Sequence, residues 1–217
     1  MKIAIIGDSF ALHYTNTWFE KIVNGCNLEL SIHVGFPGMS EYKIYKKFKD
    51  ILNLKTLPDI ILICHTEPSR LYHPKYSVRP QLNTGPEILL KDFHDAVQKY
   101  YDHLYDEEFA KEIYKFLLTD IQNICKDKKI KLINVPCFQH DFLDKKYGLW
   151  LTVDGGLVTL TSHTREDKEY DSSILRLNHF DATEHDIIAA DIIPCINNFI
   201  NGDKEFDSVS ILTEGFN

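Results

Sequence analysis

The sequence predicts an α/β fold, a three-layer α/β/α sandwich of the flavodoxin-like kind around a central, mostly parallel sheet. Three observations predict it. Residues 2–6 form a nearly continuous apolar run that Gly7-Asp8-Ser9 breaks. Ile60-Ile61-Leu62-Ile63-Cys64 and residues 130–135 repeat that pattern, the second run ending at Pro136. Segments with apolar residues at helical spacing separate these runs. Strands apolar on both faces and alternating with helices are what a parallel sheet covered on both sides requires.

Residues 11–23 carry Trp18, Ile22 and Val23 at helical spacing, and Gly25 closes the helix. Residues 28–34 alternate weakly and read as a second strand. Gly35-Phe36-Pro37-Gly38 is a loop by its glycine and proline punctuation. Ser40 is placed to cap a helix with Ile44, Phe48, Ile51 and Leu52 on its inner face. After strand 60–64 comes His65-Thr66-Glu67-Pro68-Ser69-Arg70, then a long polar stretch over 72–86. A loop of that length is a candidate lid. Residues 87–103 and 107–125 read as two helices, 150–160 as one or two short strands, 161–173 as an exposed polar segment and 183–200 as a last helix. Ile187, Ile188, Ile192 and Ile193 mark that helix's inner face. The whole chain, 1–217, reads as one domain, with 201–217 a weakly patterned tail.

Composition removes several function classes. A net charge of −8 argues against a general nucleic-acid binder, because neutralising phosphates needs a surplus of Lys and Arg. The cluster Lys43, Lys46, Lys47 and Lys49 reads as a solvated helix face. No stretch has the roughly 18 apolar residues of a membrane span, and residues 1–7 read as a buried strand rather than a signal peptide. The expected location is cytoplasmic; release by phage lysis would leave no mark. Five cysteines without C-x-x-C spacing fit reduced, mostly buried thiols. Cys137, following Pro136 at a strand end, is a candidate reactive thiol against that blander reading. No metal or cofactor is expected: the ten histidines are dispersed, no phosphate-binding glycine motif occurs, and His179, Asp181 and His185 form at most a partial metal site. The sequence leaves the oligomeric state open.

In an open parallel sheet, ligands bind beyond the carboxyl ends of the strands. The polar clusters at Gly7-Asp8-Ser9, Gly35–Gly38, His65–Arg70 and Pro136–His140 all follow apolar strands, so they should meet at one edge. Ser9, just past a strand, can project its hydroxyl there. Its own N–H, at the start of a helix, can face an oxyanion. A serine hydroxyl needs a base, and His179 in Asn178-His179-Phe180, before the last helix, can supply one near neutral pH. His185, inside that helix, reads as structural. The blander reading of Asp8 and Ser9 is a helix cap.

Gly7-Asp8-Ser9-Phe10 after an N-terminal strand resembles the first block of SGNH/GDSL hydrolases, and His179-Phe180 before the final helix resembles their last. The resemblance spans nearly the whole chain in order. It implies the SGNH hydrolase type of the fold. It also implies an esterase acting through an acyl-enzyme, with Ser9 as nucleophile, His179 as base, and the N–H groups of Ser9 and Gly38 as oxyanion hole. The implied substrates are acyl or acetyl esters, with small-molecule or glycan alcohols. Two positions depart from the family. Glu67 stands where an oxyanion-binding Asn is usual, and an ionised carboxylate cannot donate a hydrogen bond; His65, Thr66 or a backbone N–H are the substitutes. Arg176 stands where the family places its Asp, which leaves Asp171, Asp181 or no acid to orient His179, with Asp171 preferred. Asp8, His65, Thr66, Glu67 and Arg70 are candidate substrate contacts, Arg70 through its planar fork or, more blandly, as half of a surface ion pair. Trp150 and the tyrosines at 72, 76, 100 and 101 are candidate sugar-stacking residues or simple packing. Rival functions are a glycan- or protein-binding module that has lost catalysis, and an acyltransferase using the same residues.

Overall fold

The computed structural model describes residues 1–12, 16–75, 78, 91–138, 140–161, 180, 182–202 and 205–210. Its centre is a six-stranded sheet in the order β2-β1-β3-β4-β5-β6. The strands are β1 (Lys2–Gly7), β2 (Glu29–Gly35), β3 (Ile60–His65), β4 (Lys131–Pro136), β5 (Gly148–Thr152) and β6 (Phe206–Ser210). Every pairing among them is parallel. The helices are α1 (Trp18–Gly25), α2 (Glu41–Leu52), α3 (Lys91–His103), α4 (Glu107–Asp127) and α5 (Ala182–Asn201).

Alternation along β1 shows how the layers form. Ile3 and Ile5 pack with Trp18, Phe19 and Ile22 of α1 and Ile188, Ile192 and Ile196 of α5. Ala4 and Ile6, pointing the other way, pack with Ile44, Phe48 and Ile51 of α2 and Ile121 and Cys125 of α4. A strand whose successive side chains point to opposite faces must be apolar at every position when both faces are covered. β3 repeats the division, with Ile60 and Leu62 on the α1/α5 side and Ile61 and Ile63 on the α2/α4 side.

The chain leaves β1 towards β2 on one side and then crosses to β3 on the other. The carboxyl ends of β1 and β3 therefore flank a topological switch point, where doubly wound sheets bind ligands. The register brings the strand ends level: Gly7 lies beside Gly35 and Cys64, and His65 beside Pro136. The polar clusters do share one edge.

Some elements differ from expectation. Ser9–Ala11 is a 3-10 turn, and α1 begins only at Trp18. Residues 206–210 of the weakly patterned tail form β6, paired with β5 from Gly148/Phe206 to Thr152/Ser210. Residues 150–160 yield the body of β5 and a 3-10 turn, Leu157–Thr161. Ser40 caps α2 as expected, accepting from the Lys43 N–H. Most of the candidate lid, 72–86, lies outside the described residues; Leu71 and Val78 form an isolated antiparallel bridge.

Candidate active site

The Ser9 turn begins at Asp8, whose carboxylate caps it. Asp8 Oδ1 accepts from the Phe10 N–H at 3.0 Å, while Oδ2 accepts from Arg70 Nη1 at 3.2 Å and from the Thr66 hydroxyl at 3.4 Å. Asp8 is fully buried and Ser9 half-buried. Burial pushes the Asp8 carboxyl up to about 6, against the opposing pull of the Arg70 guanidinium.

Arg70 joins three strand ends. Its Nε donates to Glu67 Oε1 at 2.8 Å, its Nη1 to Asp8, and its guanidinium lies 5.0 Å from the centre of the Phe138 ring. The ion pair is real but buried, not on the surface: the Arg70 side chain is only 5% exposed. Glu67 is the second carboxylate that Arg70 holds.

Beneath Thr66 lies a network that the sequence reading missed. His65 Nδ1 is 2.8 Å from Glu41 Oε1, and its Nε2 is 3.0 Å from Asn134 Oδ1. The Asn134 amide nitrogen donates to Tyr147 O at 3.4 Å, which assigns its oxygen to the His65 side. Both ring nitrogens thus face acceptors, and a doubly protonated imidazole satisfies them together. Burial opposes that charge, but Glu41 and the Asn134 oxygen hold the His65 pKa above its ordinary value. Glu41 Oε2 also accepts from the Thr66 N–H at 3.2 Å. Glu41 is the first residue of α2, where a carboxylate is favoured by the helix dipole. One signal was available: Asn134 is a lone amide inside an apolar strand, and buried amides need partners.

His65 and Thr66 have no exposed surface, so neither side chain opens onto the crevice as a substrate contact. Gly38 sits at φ 69°, a left-handed conformation that glycine adopts without strain. His185 Nδ1 accepts from the Trp18 N–H at 3.2 Å, at the start of α1. Among the described residues, no group of three or more His, Cys, Asp or Glu could hold a metal. The Cys137 thiol is buried beside Cys64, and burial drives its pKa well up, which marks an unreactive thiol. Trp150 is fully buried and stacks on His65, and the Tyr101 hydroxyl donates to Ser69 O at 2.6 Å, so both serve packing. Lys47 and Lys49 pair with Asp50 and Asp120, as a solvated face does. No helix among the described residues is long and apolar enough to cross a membrane.

His179, Asp171 and Asp181 lie outside the described residues. Phe180 is described: its ring packs edge-on against Phe10, centroids 5.4 Å apart. The immediate neighbours of Ser9 and His179 in the chain are therefore in contact. Beyond Phe138, a cavity of about 310 Å³ opens at the carboxyl ends of β4–β6, lined by His140, Thr152, Asp154 and Ser210 among others.

No protein-family model matches the chain, and no curated protein matches it. Solved structures do. One is a variant of an acetyl-xylooligosaccharide esterase from Geobacillus stearmophilus, at 12% identity and TM-score 0.48, covering 95% of this chain and 96% of that one. Another is a lipolytic protein of the G-D-S-L family from Desulfitobacterium hafniense, at 13% identity and TM-score 0.46, covering 87% of this chain and 95% of that one. A third is the psychrotrophic esterase EstA from Pseudoalteromonas sp., at 13% identity and TM-score 0.38, covering 93% and 99%.

Proposed function

We propose that this chain is an SGNH/GDSL-type serine esterase that cleaves acyl or acetyl esters of small-molecule or glycan alcohols. The observation that carries the reading is the Phe10–Phe180 contact at 5.4 Å. Phe10 directly follows Ser9 in the chain and Phe180 directly follows His179, so the contact supports a pairing of the two candidate residues.

In this reading the Ser9 hydroxyl gives its proton to His179 and attacks the ester carbonyl. The N–H groups of Ser9 and Gly38 receive the oxyanion. His179 then protonates the leaving alcohol and afterwards activates the water that releases the acid. Asp171 is the acid assigned to orient His179. Asp8 holds the turn and does not enter the chemistry, because its oxygens are engaged by Phe10, Thr66 and Arg70.

The test is labelling of the purified protein with a fluorophosphonate probe, followed by ester hydrolysis assays. Ser9→Ala and His179→Ala should each abolish labelling and lower kcat by about a thousandfold or more. A folded wild-type protein that takes no label would overturn the esterase reading and leave the binding module standing.

A further inference from the structure

We propose that Arg70 is a positioning residue for the Ser9 turn, its single guanidinium bridging Asp8 after β1 and Glu67 after β3 and thereby making Glu67 tolerable where an amide is usual. The proposal rests on the reading of Ser9 as nucleophile.

The geometry is specific. Two different guanidinium nitrogens serve two carboxylates, at 3.2 Å to Asp8 and 2.8 Å to Glu67, and the group lies over Phe138 from the β4 end. Phe138 in turn packs edge-on against Phe10, centroids 6.1 Å apart. The clamp thus touches the Ser9 turn through the capping carboxylate and reaches the ring that follows Ser9 only by way of Phe138. A bridge of this kind needs the fixed fork of arginine; an ammonium is a point charge that serves one partner well and the other poorly.

Charge explains why the clamp matters. Without Arg70, the Asp8 and Glu67 carboxylates would both lose the cation that they share. Asp8, already fully buried, would lose its charged partner; the Thr66 hydroxyl, at 3.4 Å, is a weak replacement. Asp8 would then take up a proton at a higher pH, and a neutral carboxyl is a poorer acceptor for the Phe10 N–H that holds the turn. Glu67 and Arg70 are three residues apart and act as one unit: the negative charge at the oxyanion-side position is tied to the cation that the unit presents to Asp8.

The test measures the rate of fluorophosphonate labelling against pH for the wild type, Arg70→Gln and Arg70→Lys, with near-ultraviolet circular dichroism confirming each fold. Arg70→Gln should lower the plateau rate at least about tenfold and move the acid limb of the profile up by a pH unit or more. Arg70→Lys should keep the acid limb near its wild-type position but still lower the plateau. A purely structural role would reduce the folded fraction without moving the limb. Should Arg70→Gln not fold, Arg70→Lys decides: a wild-type plateau rate sinks the proposal. A labelled wild type with unchanged variants overturns the clamp alone, whereas an unlabelled wild type overturns the esterase reading and the clamp with it.

Discussion

His65 shows what one buried side chain asks of its surroundings. It has no exposed surface, and both of its nitrogens face acceptors, Glu41 at 2.8 Å and Asn134 at 3.0 Å. Burial penalises its charge, yet the two acceptors raise its pKa above that of a free histidine. A histidine with a raised folded pKa binds its proton more tightly in the native state. Its contribution to stability is fully present below the unfolded value of about 6.5 and is lost as pH rises through the folded value. Urea unfolding of the wild type should therefore show stability from this pair falling as pH rises from about 6.5 through the raised folded value, and His65→Gln should flatten that dependence. Breaking the pair also leaves the Glu41 carboxylate buried without its partner, at a cost of about 3–5 kcal/mol near pH 6. Equal pH slopes for the two proteins would mean that His65 is neutral in the native state.

At the scale of elements, the close approach of the Ser9 turn to β2 depends on Gly35. A Cβ at residue 35 would run into the backbone carbonyl of Ala11, the last residue of the turn, which cannot move without moving Ser9. Gly35→Ala should destabilise the fold by about 1–3 kcal/mol in urea titrations and reduce labelling of Ser9 in the protein that stays folded. Full labelling with normal stability would show that the turn adjusts freely. Elements were legible in the sequence to the extent that burial had shaped them. β1 and β3 are buried along almost their whole length, and their apolar runs announce them. β6, at the sheet edge, alternates exposed and half-buried residues and mixes Asp207 and Ser208 with Phe206 and Val209, so no continuous run marks it. The shared edge followed from parallel strands alone, whereas the break after β1 was marked by Gly7-Asp8-Ser9 without showing that a 3-10 turn, and not a helix, follows it. The clamp and the His65 network were hidden for a different reason. They join residues 62, 24 and 69 positions apart, and no local pattern encodes such pairings. Of the candidate catalytic residues, only Ser9 lies among the described ones.

At the scale of the molecule, the sheet order makes the edge that carries the candidate site the product of well-protected strands. β1, β3 and β4 are flanked by neighbours on both sides and covered by helices on both faces. β2 and β6 are edges, and the first residues of β2 are exposed. Hydrogen bonds in central, doubly covered strands open only with the whole domain, while edge strands open locally at lower cost. Native-state hydrogen exchange should therefore rank amides of β1, β3 and β4 slowest, with a common free energy equal to that of global unfolding, and amides of β6 and the start of β2 faster. The site inherits this order. Asp8, His65 and Thr66 directly extend the slow strands, and the 3-10 turn bearing Ser9 is tied to them by the Asp8 cap. The Phe10 amide, held by that cap, should then exchange with the core rather than with the loops. Loop-like exchange at Phe10 in the wild type would show that the turn opens independently of the sheet.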